Sequence, residues 1–237
     1  HGFDRKATKR PVMCLPYGVT QHSARQYVHD YIVDRGGARP WAEADDFKAA
    51  TYLTRHIWSS IGEVVVAART AMDWLQTIAK LATIDEVPVN WTTPCGFPVL
   101  QAYYDMKKCR VKTILGDGLI VKSILQVEDQ TKLNRGKQSS AISPNFVHSM
   151  DAAALMISVH KAKEAGITHF GMVHDSYGTL AADMDSMAVC LREAFVELYQ
   201  SDVLEEFRES IMAGLSEKRQ KEIPPCPLKG DLNLNAV

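Results

Sequence analysis

Apolar residues recur at helical spacing along most of the chain and at strand spacing in one central stretch. Residues 5–34 read as two helices broken near Tyr17-Gly18, and residues 43–83 as long helices. In the second block Tyr52, Leu53, Ile57, Ile61, Val64 and Val65 follow helical spacing. Thr93-Pro94-Cys95-Gly96 is a turn signal. Strand patterns follow at 97–104, 109–115 and 119–127. The last two flank Gly116-Asp117-Gly118, as in a hairpin with glycine in its loop. The polar stretch 132–143 reads as a loop. A helix then begins, with Ser143 as N-cap, Pro144 in the first turn and Gly166 at the far end. Residues 169–173 and 176–181 are short strand candidates around His174-Asp175. Residues 185–221 read as helical, and Pro224, Pro225 and Pro227 end regular structure. No internal repeat is visible. The expected class is α+β, helix-rich.

With 237 residues and 46% hydrophobic content, the chain can bury a sizeable core in one large or two small domains. Its ordinary charged, Gly and Pro contents exclude disordered, collagen-like and low-complexity classes. No apolar run approaches the ~20 residues of a membrane span. The longest, 61–72, is broken by Glu63 and Arg69, so no membrane partner is expected. Cysteines 14, 95, 109, 190 and 226 nowhere form C-x-x-C, which points to free thiols in a reducing compartment rather than structural zinc. The chain starts at His1 with neither an initiator Met nor a basic-then-apolar leader, so further chain is expected upstream and no secretion signal is visible.

A net charge of -1 conceals two opposed segments. Residues 107–137 carry eight basic and three acidic side chains; residues 183–217 carry nine acidic and two basic ones. Phosphate binding depends on local basic surface, so the overall balance does not exclude nucleic acid. Two solvated faces would account for the same runs.

Three constellations carry candidate chemistry. In Arg5-x3-Lys9-x7-Tyr17-Gly18, the two cations lie about 40° apart on a helix. Such neighbours repel unless an anion sits between them, and a triphosphate suits both: Arg as a fork, Lys as a point charge. The Tyr17 ring can stack on a base and its hydroxyl can touch a sugar. A basic surface helix with a buried tyrosine fits the same spacing. In Val173-His174-Asp175-Ser176, a carboxylate at a tight turn has a rigid base from which to hold Mg²⁺, although Asp and Ser are common in any turn. In the run from Pro144 to Asp151, Phe146, Met150 and Ala153 can face a core, while His148 points elsewhere and can hydrogen-bond a ligand.

Taken together, these residues resemble the single-subunit, bacteriophage-type DNA-dependent RNA polymerases, a family that also includes mitochondrial enzymes. The resemblance rests on Thr8-Lys9-Arg10-Pro11-Val12-Met13, Leu15-Pro16-Tyr17-Gly18, Pro144–His148 and His174-Asp175-Ser176-Tyr177-Gly178-Thr179. Trp91-Thr92-Thr93-Pro94, Gly96-Phe97-Pro98 and Gly230-Asp231-Leu232-Asn233-Leu234 extend it over nearly the whole chain. It implies a cupped right-hand fold, with fingers over residues 1–147, including a promoter-specificity-like hairpin at about 97–127, and the C-terminal part of the palm over 148–237. It implies that Arg5 and Lys9 contact the incoming ribonucleoside triphosphate. Tyr17 would help distinguish ribose from deoxyribose, His148 would sit near the 2′-hydroxyl, and Asp175 would bind catalytic Mg²⁺. Arg110 and Lys112 would read DNA in a groove.

The implied partners are promoter and template DNA, nascent RNA and ribonucleoside triphosphates. The implied setting is a bacterial host's cytoplasm for a phage-encoded chain, or the mitochondrial matrix for an organellar one. Pro11 interrupts the nucleotide-binding helix and implies a local bend. The family's first metal-binding carboxylate lies upstream of the Arg/Lys helix, and its members run on past the Leu-Asn-Leu region. The chain is therefore expected to be a C-terminal portion that needs the missing N-terminal part and is inactive alone. Two alternatives stay open: a DNA polymerase I-type fragment, against which Ser176 and His148 argue, and a non-catalytic nucleic-acid-binding prophage remnant.

Overall fold

A computed structural model describes residues 4–37, 39–116, 118–230 and 233. The elements are α1 (Arg5–Met13), α2 (Gln21–Arg35), α3 (Asp46–Val64), α4 (Val66–Ile84), β1 (Val89–Thr92), β2 (Pro98–Gln101), β3 (Tyr104–Leu115) and β4 (Leu119–Leu133). They continue as α5 (Arg135–Glu164), β5 (Gly171–Val173), β6 (Ser176–Gly178), α6 (Met184–Gln200), α7 (Val203–Ala213) and α8 (Glu217–Gln220). The strands form separate antiparallel hairpins, β1-β2, β3-β4 and β5-β6. The helix-rich α+β expectation holds.

The main core lies between α4, α5, α7 and the β1-β2 hairpin. Trp91, Phe146 and Phe207 meet tilted or edge to face at its centre, with ring centroids 5.2–5.9 Å apart. Phe146 and Met150 of α5 face this core and Ala153 faces a smaller one, as their spacing predicts. A further core joins α2 to α3: Ala24, Val28 and Ile32 form a buried stripe at i, i+4, i+8, and the last two pack against Ala50. Burial of each large apolar side chain contributes about 1.5–3 kcal/mol.

The largest departure from the sequence pattern is α5. Residues 132–143 look like a loop because they are polar, yet the helix begins at Arg135, capped by the Asn134 side chain accepting from the Lys137 N–H at 2.8 Å. Polar residues here face the interior through hydrogen bonds. Gln138 is fully buried and exchanges amide bonds with Gln101 at 2.8–3.0 Å, while Asn145 donates to Gln101 at 2.8 Å. Ser143 is thus not an N-cap but a buried mid-helix residue, and Pro144 lies inside the helix, where it removes one ladder donor. At 30 residues, α5 is about 45 Å long, and the boundary expected at 147/148 falls within it.

Smaller differences have equally local causes. The strand expected at 97–104 splits into β2 and the start of β3, and its partner β1 is too short for alternation to reveal. The turn at Thr93–Gly96 is present, with Gly96 at φ 83° and the Gly96 N–H donating to the Thr93 carbonyl. The long hairpin has its tip where expected, between Leu115 and Leu119, but its open end extends further, to Tyr104 and Leu133. The helical block 185–221 divides into α6, α7 and α8; Asp202 caps α7, and Gly214 follows its last turn. All five cysteines are free. Among the described residues, no helix is long and apolar enough to cross a membrane.

Candidate nucleotide site

Helix α1 starts at a side-chain cap, the Asp4 carboxylate accepting from the Lys6 N–H at 2.8 Å. Arg5 and Lys9 are both exposed, one turn apart. Pro11 sits in the last turn and is buried with Ala7 on the opposite side. It does not break the helix; the chain leaves two residues later through overlapping turns. The Tyr17 N–H donates to the Cys14 carbonyl and the Gly18 N–H to the Leu15 carbonyl. Leu15 is buried as the anchor of this corner. Gly18 has φ 76°, a left-handed conformation that glycine adopts without steric cost, and the chain reverses there into α2.

The corner docks on α5 at the place where its pattern is irregular. The Ser143 hydroxyl donates to the Pro16 carbonyl. One residue along the corner and just over a turn along α5, Tyr17 stacks on His148, with centroids 4.9 Å apart and planes 19° from parallel. Both side chains keep one face toward solvent. Partial burial, then the charges of Asp151, Cys14 and Asp175, push the Tyr17 phenol above its ordinary range. The hydroxyl therefore stays protonated at neutral pH and can donate.

Two carboxylates, Asp151 and Asp175, thus act on the phenol through their charge. Asp175 stands on the two-residue turn between β5 and β6, where Val173 pairs with Ser176. His174 beside it takes φ 52°, a region in which non-glycine residues are uncommon. Gly171 and Gly178 face each other across the same hairpin, and a Cβ on Gly178 would lie 3.1 Å from the Gly171 carbonyl oxygen. The turn thus holds Asp175 on a tight, closely paired base. Asp151 was not singled out by motif. Its only sequence signal is its position three residues after His148, on the same side of α5.

Among the described residues, no three His, Cys, Asp or Glu side chains converge into a metal-binding group. An exposed carboxylate on a rigid turn fits a cation that takes one or two protein oxygens and completes its shell with phosphate and water, as Mg²⁺ does. The structure brings Tyr17 and His148 into contact, and the Asp175 charge acts on the Tyr17 phenol. Arg5 and Lys9 make no hydrogen bond or ion pair with that trio; Lys9 instead lines a cleft between α1 and α2.

Arg110 and Lys112 lie far along the chain on β3. The register places Lys108 opposite Gln126, Arg110 opposite Ile124 and Lys112 opposite Lys122, so these cations share one face. The other face pairs Cys109 with Leu125, Thr113 with Val121 and Leu115 with Leu119. Most of the hairpin is exposed on both faces. Asp117, at the loop, lies outside the described residues.

The profile of the DNA-dependent RNA polymerase family matches residues 1–235. The chain is 38% identical over 235 residues to the mitochondrial DNA-directed RNA polymerase 1B of Nicotiana tabacum, covering 99% of this chain and 22% of that protein. It is 35% identical to the DNA-directed RNA polymerase of Enterobacteria phage K11 and 34% identical to T7 RNA polymerase of Escherichia phage T7, in each case over its whole length. It spans 28% and 29% of those two proteins. Matched by that profile over residues 1–235, this protein is a member of the DNA-dependent RNA polymerase family.

Proposed function

We propose that this chain carries the ribonucleotide-binding part and one metal-binding carboxylate of a DNA-directed RNA polymerase that extends RNA 3′ ends by two-metal phosphoryl transfer. The observation that carries this reading is the contact between Tyr17 and His148, 131 residues apart, at a phenol on which the Asp175 charge acts. Family membership favours RNA over DNA synthesis and sets the DNA polymerase alternative aside.

In this reading Arg5 and Lys9 neutralise the triphosphate from α1. The Tyr17 face closes over the new base pair. Its protonated hydroxyl and the His148 ring present polar atoms to the ribose 2′-hydroxyl, the group that separates ribose from deoxyribose. Asp175 offers its carboxylate oxygens as the protein ligand for Mg²⁺. Magnesium, when bound, supplies charge neutralisation on the phosphates and a lower pKa at the attacking hydroxyl. The basic face of the β3-β4 hairpin, with Arg110 and Lys112, meets promoter DNA. Residues 1–147 form fingers and 148–237 the C-terminal part of the palm, with α5 as a strut through both. The place of action is a bacterial host's cytoplasm for a phage-encoded protein and the mitochondrial matrix for an organellar one.

The test pairs the chain with the remaining portion of the phage T7 enzyme, on promoter DNA with Mg²⁺ and ribonucleotides. RNA synthesis that needs both parts and drops at least about 100-fold in Asp175→Asn is the expected outcome, since a catalytic metal is worth several kcal/mol. An assembled complex that makes no RNA would favour the non-catalytic remnant.

A further inference from the structure

The β3-β4 hairpin is joined to the rest of the molecule through polar contacts that the nucleotide site does not use. Near its open end the ladder slips: Tyr104 pairs with Leu133, but Asp105 already pairs with Asp129. Residues 130–132 fall outside the register, and such an irregularity lets the arm beyond it bend. One side chain spans the slip. Asn134, which follows β4, uses both ends of its amide. The oxygen accepts from the Lys137 N–H at 2.8 Å and so caps α5, while the nitrogen donates to the Asp105 carboxylate at 2.9 Å. The Asn134 backbone N–H donates to the Tyr103 carbonyl at 2.8 Å. Lys132, largely exposed, lies 2.9 Å from the other Asp105 oxygen.

Behind that bond the attachment is rigid. Gln101 and Gln138 are buried and joined by hydrogen bonds of 2.8–3.0 Å in both directions. Asn145 donates to the Gln101 side-chain oxygen at 2.8 Å and to the Tyr103 hydroxyl at 3.2 Å. A satisfied buried network of this kind holds one geometry, because the alternatives leave a buried polar group unpaired. Helix α5 is thus gripped at Asn134, Gln138 and Asn145, and His148 follows on the same helix. A single helix therefore carries both the hairpin's anchorage and the ring that stacks on Tyr17, about 21 Å apart along its axis. The hairpin is a lever on this anchorage. Arg110 lies on β3 beyond Asp105, about 17 Å out along the strand. A tilt of about 10° at Asp105 would move Arg110 by about 3 Å, close to the ~3.4 Å step between base pairs.

We infer that Asp105 and Asn134 are positioning residues whose hydrogen bond aims the hairpin relative to α5, and so sets where on the template RNA synthesis begins. Arg110 and Lys112 take hold of promoter bases at one end of this frame, and Tyr17 and His148 receive the first nucleotide at the other. The number of base pairs between the two is then fixed by the bond at the hairpin's base. Both residues act through the hairpin and not on the reacting atoms. The inference rests on the proposed polymerase function. A tie that only stabilises the fold changes how much RNA is made, whereas one that aims the hairpin changes where the RNA starts. Asn134 allows the two to be separated, since its oxygen serves the helix cap and its nitrogen serves the aim.

The experiment maps RNA 5′ ends made by the reconstituted enzyme, with Mg²⁺ and ribonucleotides, on promoter DNA that the wild-type complex uses. Wild type is expected to start at one position. Asn134→Asp keeps the cap, because a carboxylate also accepts from the Lys137 N–H, but it turns the donor facing Asp105 into an acceptor. Its starts should spread by about one nucleotide either way. Asp105→Ala leaves the cap untouched and should spread them in the same manner. The swap, Asp105→Asn together with Asn134→Asp, again pairs a donor with an acceptor and should bring back the single start. Circular dichroism of each variant confirms that the helices remain. Wild-type 5′ ends in both single variants overturn the inference whatever the yield, since a lower yield alone is what a purely structural tie would give. Spread starts that the swap does not correct also overturn it, because the bond itself would then not set the aim. A wild-type complex that makes no promoter-directed RNA brings down the polymerase reading and the start-site role together. Unmoved starts beside an active wild type bring down the start-site role alone.

Discussion

The β3-β4 hairpin and the corner between α1 and α5 are built in opposite ways. The hairpin is a local object: its strands are joined by a short glycine-containing loop, and its register runs nearly unbroken from the tip. Strand alternation alone then sorts Lys108, Arg110 and Lys112 onto one face. The corner is assembled from positions more than a hundred residues apart, by Gly18's turn, the Ser143–Pro16 hydrogen bond and the Tyr17–His148 stack. Chemistry laid out by pairing can be read from spacing. Chemistry produced by docking depends on surfaces that no short-range pattern records.

If that contrast is right, the corner should be fragile where the hairpin is tolerant. The largest effect is expected at Gly18→Val. A β-branched side chain at φ 76° costs about 1–2 kcal/mol, and thermal unfolding should fall by several degrees. Ser143→Ala should cost about 1 kcal/mol, since the Pro16 carbonyl loses its donor. In the reconstituted enzyme it should also reduce discrimination between ribo- and deoxyribonucleotides by a few-fold, because Tyr17 is no longer held against His148. Unchanged discrimination would mean that the stack forms without that anchor.

On the hairpin, Arg110→Ala and Lys112→Ala should leave the unfolding temperature unchanged within error. Each should lower the slope of log affinity against log salt for promoter DNA by about 1. A stability loss comparable to Gly18→Val would show that the hairpin face is packed rather than free.

The smallest effect concerns thiol reactivity. Cys109, on the hairpin's other face, is exposed. Cys226 is pushed up to about 12 by burial, a Glu205 hydrogen bond and the charges of Glu205 and Asp202. Raising a thiol's pKa removes thiolate, so at pH 8.5 only about one Cys226 in a few thousand is reactive. Iodoacetamide labelling followed by mass spectrometry should modify Cys109 first and Cys226 only as the pH approaches 12. Equal rates at pH 8.5 would mean that the segment around Cys226 opens readily.

Much of the fold was legible. The two-piece start, the long helices, the central hairpin and the His174-Asp175 turn all follow from periodicity and punctuation, because each is stabilised by neighbours in sequence. The start of α5 was not legible. Gln138 and Ser143 are buried there through hydrogen bonds, and apolar periodicity is blind to a polar interior face. Strand β1 was missed for another reason: at four residues it acquires meaning only when Val89 and Trp91 turn inward.

The site divides along the same line. Sequence by itself determined which side chains were candidates: Arg5, Lys9, Tyr17, His148 and Asp175 announce themselves by residue type and local spacing. It also set the turn that carries Asp175, since a two-residue hairpin fixes its own geometry. Only the tertiary structure decided that Tyr17 meets His148, that Asp151 and Asp175 stand close enough to act on the phenol, and that Lys9 looks into a cleft shared with Tyr27. Spacing constrains residues a few positions apart through bond geometry. The approach of residues 131 positions apart is fixed by the packing of whole helices, to which every buried residue between them contributes.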